Sequence, residues 1–452
     1  MRAAVVAVLT TIFLLLLFAV DGRGIYLTAV ASVPLLLFAL YNFPLVLLLL
    51  PVLFFGNNHL LIFTTTEVFA LVLAASFLVT YRDIRWKDFR FPLIGSFGLY
   101  FTVLLVSTVK SVVPFTTLYE IAHYVLFIIV LGTIYAGVRD RRTIEWVVGV
   151  YLSALVVSTS HVIFQGITTG RRVFGFSGVM FVDYVSLGIV LVIVLAVLSR
   201  QIKRKVLYAL LGIFFTIGSL LTQTRNTWLS TGIVVGIFFF TAARRSAYFG
   251  LDKRKIINII TTFTLIVVLG TVTAMVLNPD VLNRVTESEG KNEVEITETG
   301  KVNSSLLSRL FIWHTAFNAF AANPILGIGA YSFPHTSGQY YTINRMLYEL
   351  YVEDLTPHQT FIAVATETGI IGLLVYGLLY LKLIGHTFRT MAGYRTDDDI
   401  RVGAMLGFGV LYCLVSMLST DAWLWGHGII LFGFVLGLFF AHNRIAHAHA
   451  RD

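Results

Sequence analysis

Residues 308–333 read SRLFIWHTAFNAFAANPILGIGAYSF, and residues 357–374 read PHQTFIAVATETGIIGLL. The second stretch opens a long apolar run at Gln359. The first lies in a mostly polar segment, 278–357, that separates this run from apolar residues ending at 277. Connections between elements are commonly about four to six residues long, so a segment of this length between two membrane-length runs marks a loop with a task of its own.

Working outward, the rest of the chain is membrane-like. It is 57% hydrophobic and only 13% charged, where soluble domains average about 25% charged. Its mean hydropathy is +0.84. A spanning helix needs about 20 largely apolar residues, and candidate runs fall at 3–20, 25–43, 45–55, 60–80, 93–109, 118–138, 144–164, 179–198, 206–221, 227–243, 256–277, 359–385, 401–420 and 425–442. Pro44 and Pro51 interrupt the pattern over 25–55, so the predicted count is twelve to fourteen. The expected fold is therefore all-α: a polytopic membrane protein with a large outward-facing loop containing amphipathic helices. The expected division is an N-terminal bundle over 1–277, a loop domain over 278–357, and C-terminal helices with a short tail over 358–452. The first apolar run has no small-x-small cleavage pattern before the next begins and reads as a retained helix.

The net charge of +9 follows topology rather than a nucleic-acid partner. Arg82, Arg85, Lys87 and Arg90 share one loop; Arg139, Arg141 and Arg142 a second; Arg200, Lys203, Arg204 and Lys205 a third; Arg244, Arg245, Lys253, Arg254 and Lys255 a fourth. If every intervening run spans, these loops lie on one side, which the positive-inside rule makes cytoplasmic. The 278–357 loop then faces outward. Cys413, the sole cysteine, sits inside a run, which leaves no intrachain disulfide and no thiolate metal site.

Within the loop, the glutamate-rich stretch 284–301 reads as a solvated linker. From Asn303, Leu306, Leu307, Leu310, Phe311, Trp313, Phe317 and Phe320 recur at helical spacing until Asn323-Pro324 ends the pattern. This predicts an amphipathic helix at the membrane surface. The glycines of 325–329 predict a tight bend. Tyr340, Tyr341, Tyr348 and Tyr351 follow, a residue type that favours interfaces and stacks on sugar rings.

Three cationic sites run against the positive-inside bias: Arg171-Arg172, Arg225 in the turn Thr222-Gln223-Thr224-Arg225-Asn226, and Arg309 on the amphipathic helix. Arginine grips phosphate oxygens bidentately and stays charged, so a set of outward arginines suggests an anionic headgroup or diphosphate. His358, at the expected first turn of the next span, is the candidate base, because a helix N-terminus disfavours imidazolium. Glu367 is expected buried in that span, paired through helix packing or with an arginine. Asp421 lies in an outer turn, and Asp183 and Glu120 lie near outer span ends. Asp397-Asp398-Asp399 reads as a solvated run. His447 and His449 have metal-like spacing without partners. No phosphate-cradling glycine loop or serine nucleophile elbow is present, and no cofactor or metal is called for.

Taken together, the turn at 222–225, the stretch from Arg309 to Gly329 and the stretch from His358 to Gly372 resemble the O-antigen ligase and polymerase superfamily of bacterial envelope enzymes. The resemblance covers residues 172–425. It implies a GT-C-like membrane glycosyltransferase of the bacterial inner membrane, with its active site facing the periplasm or cell exterior. It implies an undecaprenyl-diphosphate-linked glycan as donor, no metal, and a glycolipid or glycan acceptor. Carried onto this chain, Arg225 and Arg309, with Arg172 as a third, would bind the donor diphosphate. His358 would activate the acceptor hydroxyl, and Asp421 resembles a family acidic residue near the final span. Gln359 stands where the family usually has asparagine. A ligase using a lipid A-core type acceptor is the leading expectation, a polymerase joining lipid-linked units the alternative, and a transporter the reading from another class.

Overall fold

The computed structural model describes residues 41–55, 59–60, 63–81, 86–169, 173–174, 176–251, 305–421 and 426–449, with scattered positions between 254 and 276. The expected span 3–20 lies outside the described residues, as do most of 25–43 and 256–277, the acidic stretch 284–301, and Arg172.

The fold is all-helical and polytopic. In chain order the helices are α1 (Phe43–Leu53), α2 (Thr65–Thr80), α3 (Ile94–Ser107), α4 (Pro114–Gly137), α5 (Arg141–Thr169), α6 (Phe181–Leu198), α7 (Ile202–Leu221) and α8 (Arg225–Arg244). After the loop come α9 (Ser305–Ala322), α10 (Arg345–Tyr351), α11 (Thr360–Gly393), α12 (Asp397–Ser416) and α13 (Gly426–His449). A two-residue antiparallel pairing of His59–Leu60 with Phe63–Thr64 precedes α2. Among the described residues eight helices are long and apolar enough to cross a membrane. The runs expected at 45–55, 60–80 and 93–109 form shorter apolar helices of 11, 16 and 14 residues. Pro44 begins α1 rather than breaking it, since its missing N–H falls in the first turn, where Asn42 caps the helix at 3.3 Å. Pro51 lies close to the end of the same helix.

The centre is built from α6, α12 and α13, whose span windows are each 89% buried. Lipid tails give apolar side chains no reason to leave them, so such helices associate through close packing. Gly433 and Gly437, one turn apart on α13, meet α4 in this way. A Cβ at Gly433 would stand 2.9 Å from the Phe127 carbonyl oxygen. Outward faces remain apolar: Leu374, Leu378 and Leu381, one stripe of α11, are 60%, 57% and 65% exposed. An exposed stripe of leucines on a span-length helix suits a lipid-facing surface.

One end of the bundle gathers the basic loops. Arg139 lies over the Tyr81 ring at 4.2 Å, and Arg444 donates to the Val138 carbonyl at 2.6 Å. The run Asp397-Asp398-Asp399, expected as solvated, is engaged instead. Arg141 reaches Asp398 at 3.0 Å and Asp399 at 3.7 Å, and Arg200 pairs with Asp397. Arg401 bridges Glu145 at 2.8 Å and Asp398 at 3.0 Å. The run also starts α12, where carboxylates complement the helix dipole.

Candidate functional site

At the opposite end, α9 lies across the start of α11. The sequence predicts its large apolar residues as one stripe, but the seam that packs inward is small: Ile312, Thr315, Ala316 and Ala319 are fully buried. Leu310 and Phe317 point outward at 50% and 67% exposure, as a helix lying at a membrane surface requires. Trp313 Nε1 donates to the Pro357 carbonyl at 3.0 Å, and Thr366 Oγ1 donates to the Ala316 carbonyl at 3.2 Å. Ile328, Phe333, Tyr348 and Val352 complete a small core under α9. Tyr341 and Tyr348 stack on each other at 4.3 Å rather than standing free.

The segment 324–333 enters between α3, α4 and α11. Its polar backbone must be satisfied at depth, and α11 supplies the partners by breaking. Gly369 has φ 68 and ψ −167, outside helical geometry. The carbonyls of Thr366 and Glu367, freed by the break, accept from Ile328 N at 3.1 Å and Gly329 N at 2.9 Å, while Ile370 N donates to the Pro324 carbonyl at 2.8 Å. On the other side Thr117 Oγ1 donates to the Ala330 carbonyl at 2.7 Å, and Ser111 and Ser332 share a bond of 2.9 Å. Glu367 is 1% exposed and accepts from the backbone N–H groups of Tyr331 and Phe333. The arginine partner or simple helix packing expected for it is replaced by this loop, and its Oε2 has no hydrogen-bond partner among the described residues. Tyr331 has φ 54, and its hydroxyl is pushed up to about 12 by burial and by the nearby Glu120, Glu367 and Asp421 carboxylates.

His358 lies one residue further out than the sequence suggests. Gln359 is the N-cap of α11, its Oε1 accepting from Ile362 N at 2.6 Å, and Thr360 is the first helical residue. His358 itself has φ 53, a conformation that non-glycine residues adopt at a cost and that recurs at functional sites. Asp421 helps hold it there, accepting the His358 backbone N–H at 3.1 Å. The ring Nδ1 lies 3.3 Å from Thr356 Oγ1 and 3.9 Å from Asp421 Oδ1, with the side chain 42% exposed. The charge that faces the ring is thus a carboxylate from the α12–α13 turn, beside the start of its own helix. Asp421 is nearly buried. Burial alone would raise its carboxyl, but His358, the Thr356 hydroxyl and its own N–H outweigh that and hold it below the usual carboxylate range. Thr360 Oγ1 donates to the Thr420 carbonyl at 2.7 Å, which fixes the same turn against α11.

Arg309, half-buried on α9, stands in the field of Asp421; burial draws its pKa down and Asp421 opposes this. Arg225 is the exposed first residue of α8. Ser230 of α8 touches Ser419 at 3.4 Å, which brings the head of α8 to the turn that bears Asp421. The structure thus gathers Arg225, Arg309, His358, Gln359 and Asp421 at one end. Arg172 lies outside the described residues.

A second polar cluster has no counterpart in the sequence reading beyond Glu120. His123 Nε2 meets Glu67 Oε1 at 2.7 Å and Nδ1 meets Glu120 Oε2 at 3.0 Å, all three buried between α2 and α4. Asp183 accepts from Tyr412 at 3.1 Å and Ser416 at 3.0 Å. Only Glu120 and His123 carry a local signal, their i,i+3 spacing on one helix.

No curated protein sequence matches the chain. Residues 209–377 match the family model described as O-antigen ligase, a stretch that runs from α7 into α11 and takes in Arg225, Arg309, His358, Gln359 and Glu367. Over this segment the chain is similar to the O-antigen ligase family.

Proposed function

We propose that this protein transfers a glycan from a lipid-diphosphate donor to an acceptor hydroxyl, with His358 as base and Arg225 and Arg309 on the departing diphosphate. The observation that carries the reading is the His358–Asp421 pair, with Arg309 in the field of Asp421; His358 and Arg309 lie inside the family-matched segment. A sugar joined through its anomeric carbon to diphosphate already has a good leaving group. What remains is to hold an acceptor oxygen in line, remove its proton and neutralise the leaving charge. With Nδ1 turned toward Thr356 and Asp421, Nε2 is the nitrogen offered to an acceptor. The Asp421 carboxylate favours the positive charge that the ring gains. Arg225 sits where the helix dipole disfavours a cation, a placement that makes sense beside an anion, which the α8 N-terminal N–H groups also attract. The acceptor oxygen bonds to the anomeric carbon as the carbon–oxygen bond to diphosphate breaks, and the proton passes to His358. A single displacement inverts the anomeric centre.

The donor expected is an undecaprenyl-diphosphate-linked glycan at the face away from the basic loops, which would be the periplasmic side of a bacterial inner membrane. The test uses purified protein in detergent with a lipid-diphosphate-linked oligosaccharide and two acceptors in parallel: a lipid A-core type glycolipid, and more of the donor. Transfer to the glycolipid, lost in His358→Ala and Arg309→Ala while both variants remain folded, supports a ligase with this site. A ladder of longer lipid-linked chains assigns the same site to a polymerase. Retained anomeric configuration, or full activity in both variants, overturns the mechanism.

A further inference from the structure

A cavity of about 280 Å³ opens at the basic end of the bundle, between α8, the turn after it, α11 and α12. Its wall on α12 is Ile400, Ala404 and Phe408, one helical stripe about 12 Å long. That is most of one leaflet of a hydrocarbon core about 30 Å thick. At its mouth stand Arg244 and Arg245, both exposed. Arg244 lies over the Phe240 ring at 4.8 Å. The other arginines of this end that face acids, Arg141, Arg200 and Arg401, are paired with Asp397, Asp398, Asp399 or Glu145. Neither Arg244 nor Arg245 forms an ion pair among the described residues. Asp399, which reaches Tyr248 electrostatically, is already engaged by Arg141 and Thr396. Tyr248 donates to the Met391 carbonyl, pinning the turn after α8 against α11 and closing one side of the slot.

Two guanidinium groups without an ion-pair partner among the described residues, set over an apolar slot of acyl depth, complement an amphiphile with an anionic head. We infer that this slot binds an anionic phospholipid of the leaflet at the basic end. The site is separate from the proposed donor site. Arg225 and Arg244 are the two ends of α8, and 19 intervening rises set them about 29 Å apart, on opposite faces of the membrane. A soluble phosphate would use the arginines and leave the slot unfilled. A zwitterionic lipid would fill the slot and gain little from the arginines.

The test is thermal unfolding of the purified full chain in neutral detergent, titrated with phosphatidylglycerol, phosphatidylcholine or glycerol phosphate. Phosphatidylglycerol should raise the midpoint saturably, and the other two should not. Arg244→Gln with Arg245→Gln should leave the lipid-free midpoint near wild type and weaken the apparent affinity by about fivefold per arginine. Ala404→Phe, which fills the slot while keeping both cations, should abolish the response; if that variant does not fold, the arginine variant decides alone. An equal response to phosphatidylcholine, a response reproduced by glycerol phosphate, or an unchanged response in the arginine variant overturns the proposal.

Discussion

His358 and Asp421 are 63 residues apart in sequence and meet through one backbone and one side-chain contact. If His358 is the base, His358→Ala lowers the transfer rate by about 10²–10⁴-fold while the thermal midpoint stays near wild type. A fall in rate that merely follows the folded fraction would reduce the residue to a structural role. Asp421→Asn should retain the turn and lose at least about tenfold in rate, since the charge facing the ring is removed. The same residue sets an acid limit. Its folded carboxyl is held below the unfolded value of about 3.9. The stabilisation is therefore complete above that value and is lost as pH falls through the lowered folded one. Thermal midpoints followed down from pH 5 should drop less steeply in Asp421→Asn than in wild type. The buried Glu67–His123–Glu120 cluster makes a different prediction. His123→Ala leaves two carboxylates without the imidazole between them, a loss on the order of 3–5 kcal/mol, read as a lowered midpoint even where the proposed site is intact.

At the scale of elements, the exchange of backbone bonds between 324–329 and the break in α11 joins the helix bearing Arg309 to the helix that follows His358. Two glycines permit it. A Cβ at Gly327, where φ is 68, would stand 2.3 Å from the backbone carbon of Glu367, and one at Gly369 would stand 2.2 Å from the Ile325 oxygen. Gly178 offers the control: its φ is 58, but nothing lies within 4 Å of its added Cβ. Gly178→Ala should therefore cost only the left-handed strain of about 1–2 kcal/mol. Gly327→Ala should cost distinctly more in thermal midpoint and abolish transfer. Equal midpoints for the two would show that the close approach does not matter. This region also marks the limit of what the sequence discloses. The helix over 305–322 was legible because its period and its Asn-Pro stop are local signals. The separation of Arg225 and Arg309 from the basic loops was legible too, because both stand apart from the positive-inside pattern. The break at Gly369 was not, since a lone glycine inside an apolar run is tolerated by an unbroken helix. Its cause lies 40 residues upstream, in a segment that needed partners for its own backbone. Asp397, Asp398 and Asp399 looked solvated for the same reason: their arginines come from distant turns, and no local pattern encodes that pairing.

For the whole molecule, the two ends differ in chemistry. One gathers the basic loops, the Arg141–Arg200–Arg401 ion pairs and the phospholipid slot. The other holds α9, the segment 324–333 and the His358–Asp421 pair. By the positive-inside rule the first end would face the cytoplasm, and the proposed transfer requires this, because the donor glycan would then be presented at the outer face. Cysteine accessibility can test this directly. Cys413 is the sole cysteine of the chain and is fully buried in α12, so Cys413→Ala provides a background of low reactivity. Met346 on α10 is 62% exposed, and Arg204, near the head of α7, is also exposed. In that background Met346→Cys should react with a membrane-impermeant maleimide in spheroplasts, and Arg204→Cys only after permeabilisation. The reverse pattern would place His358 on the cytoplasmic side and rule out transfer at the outer face, however well the site geometry fits the chemistry.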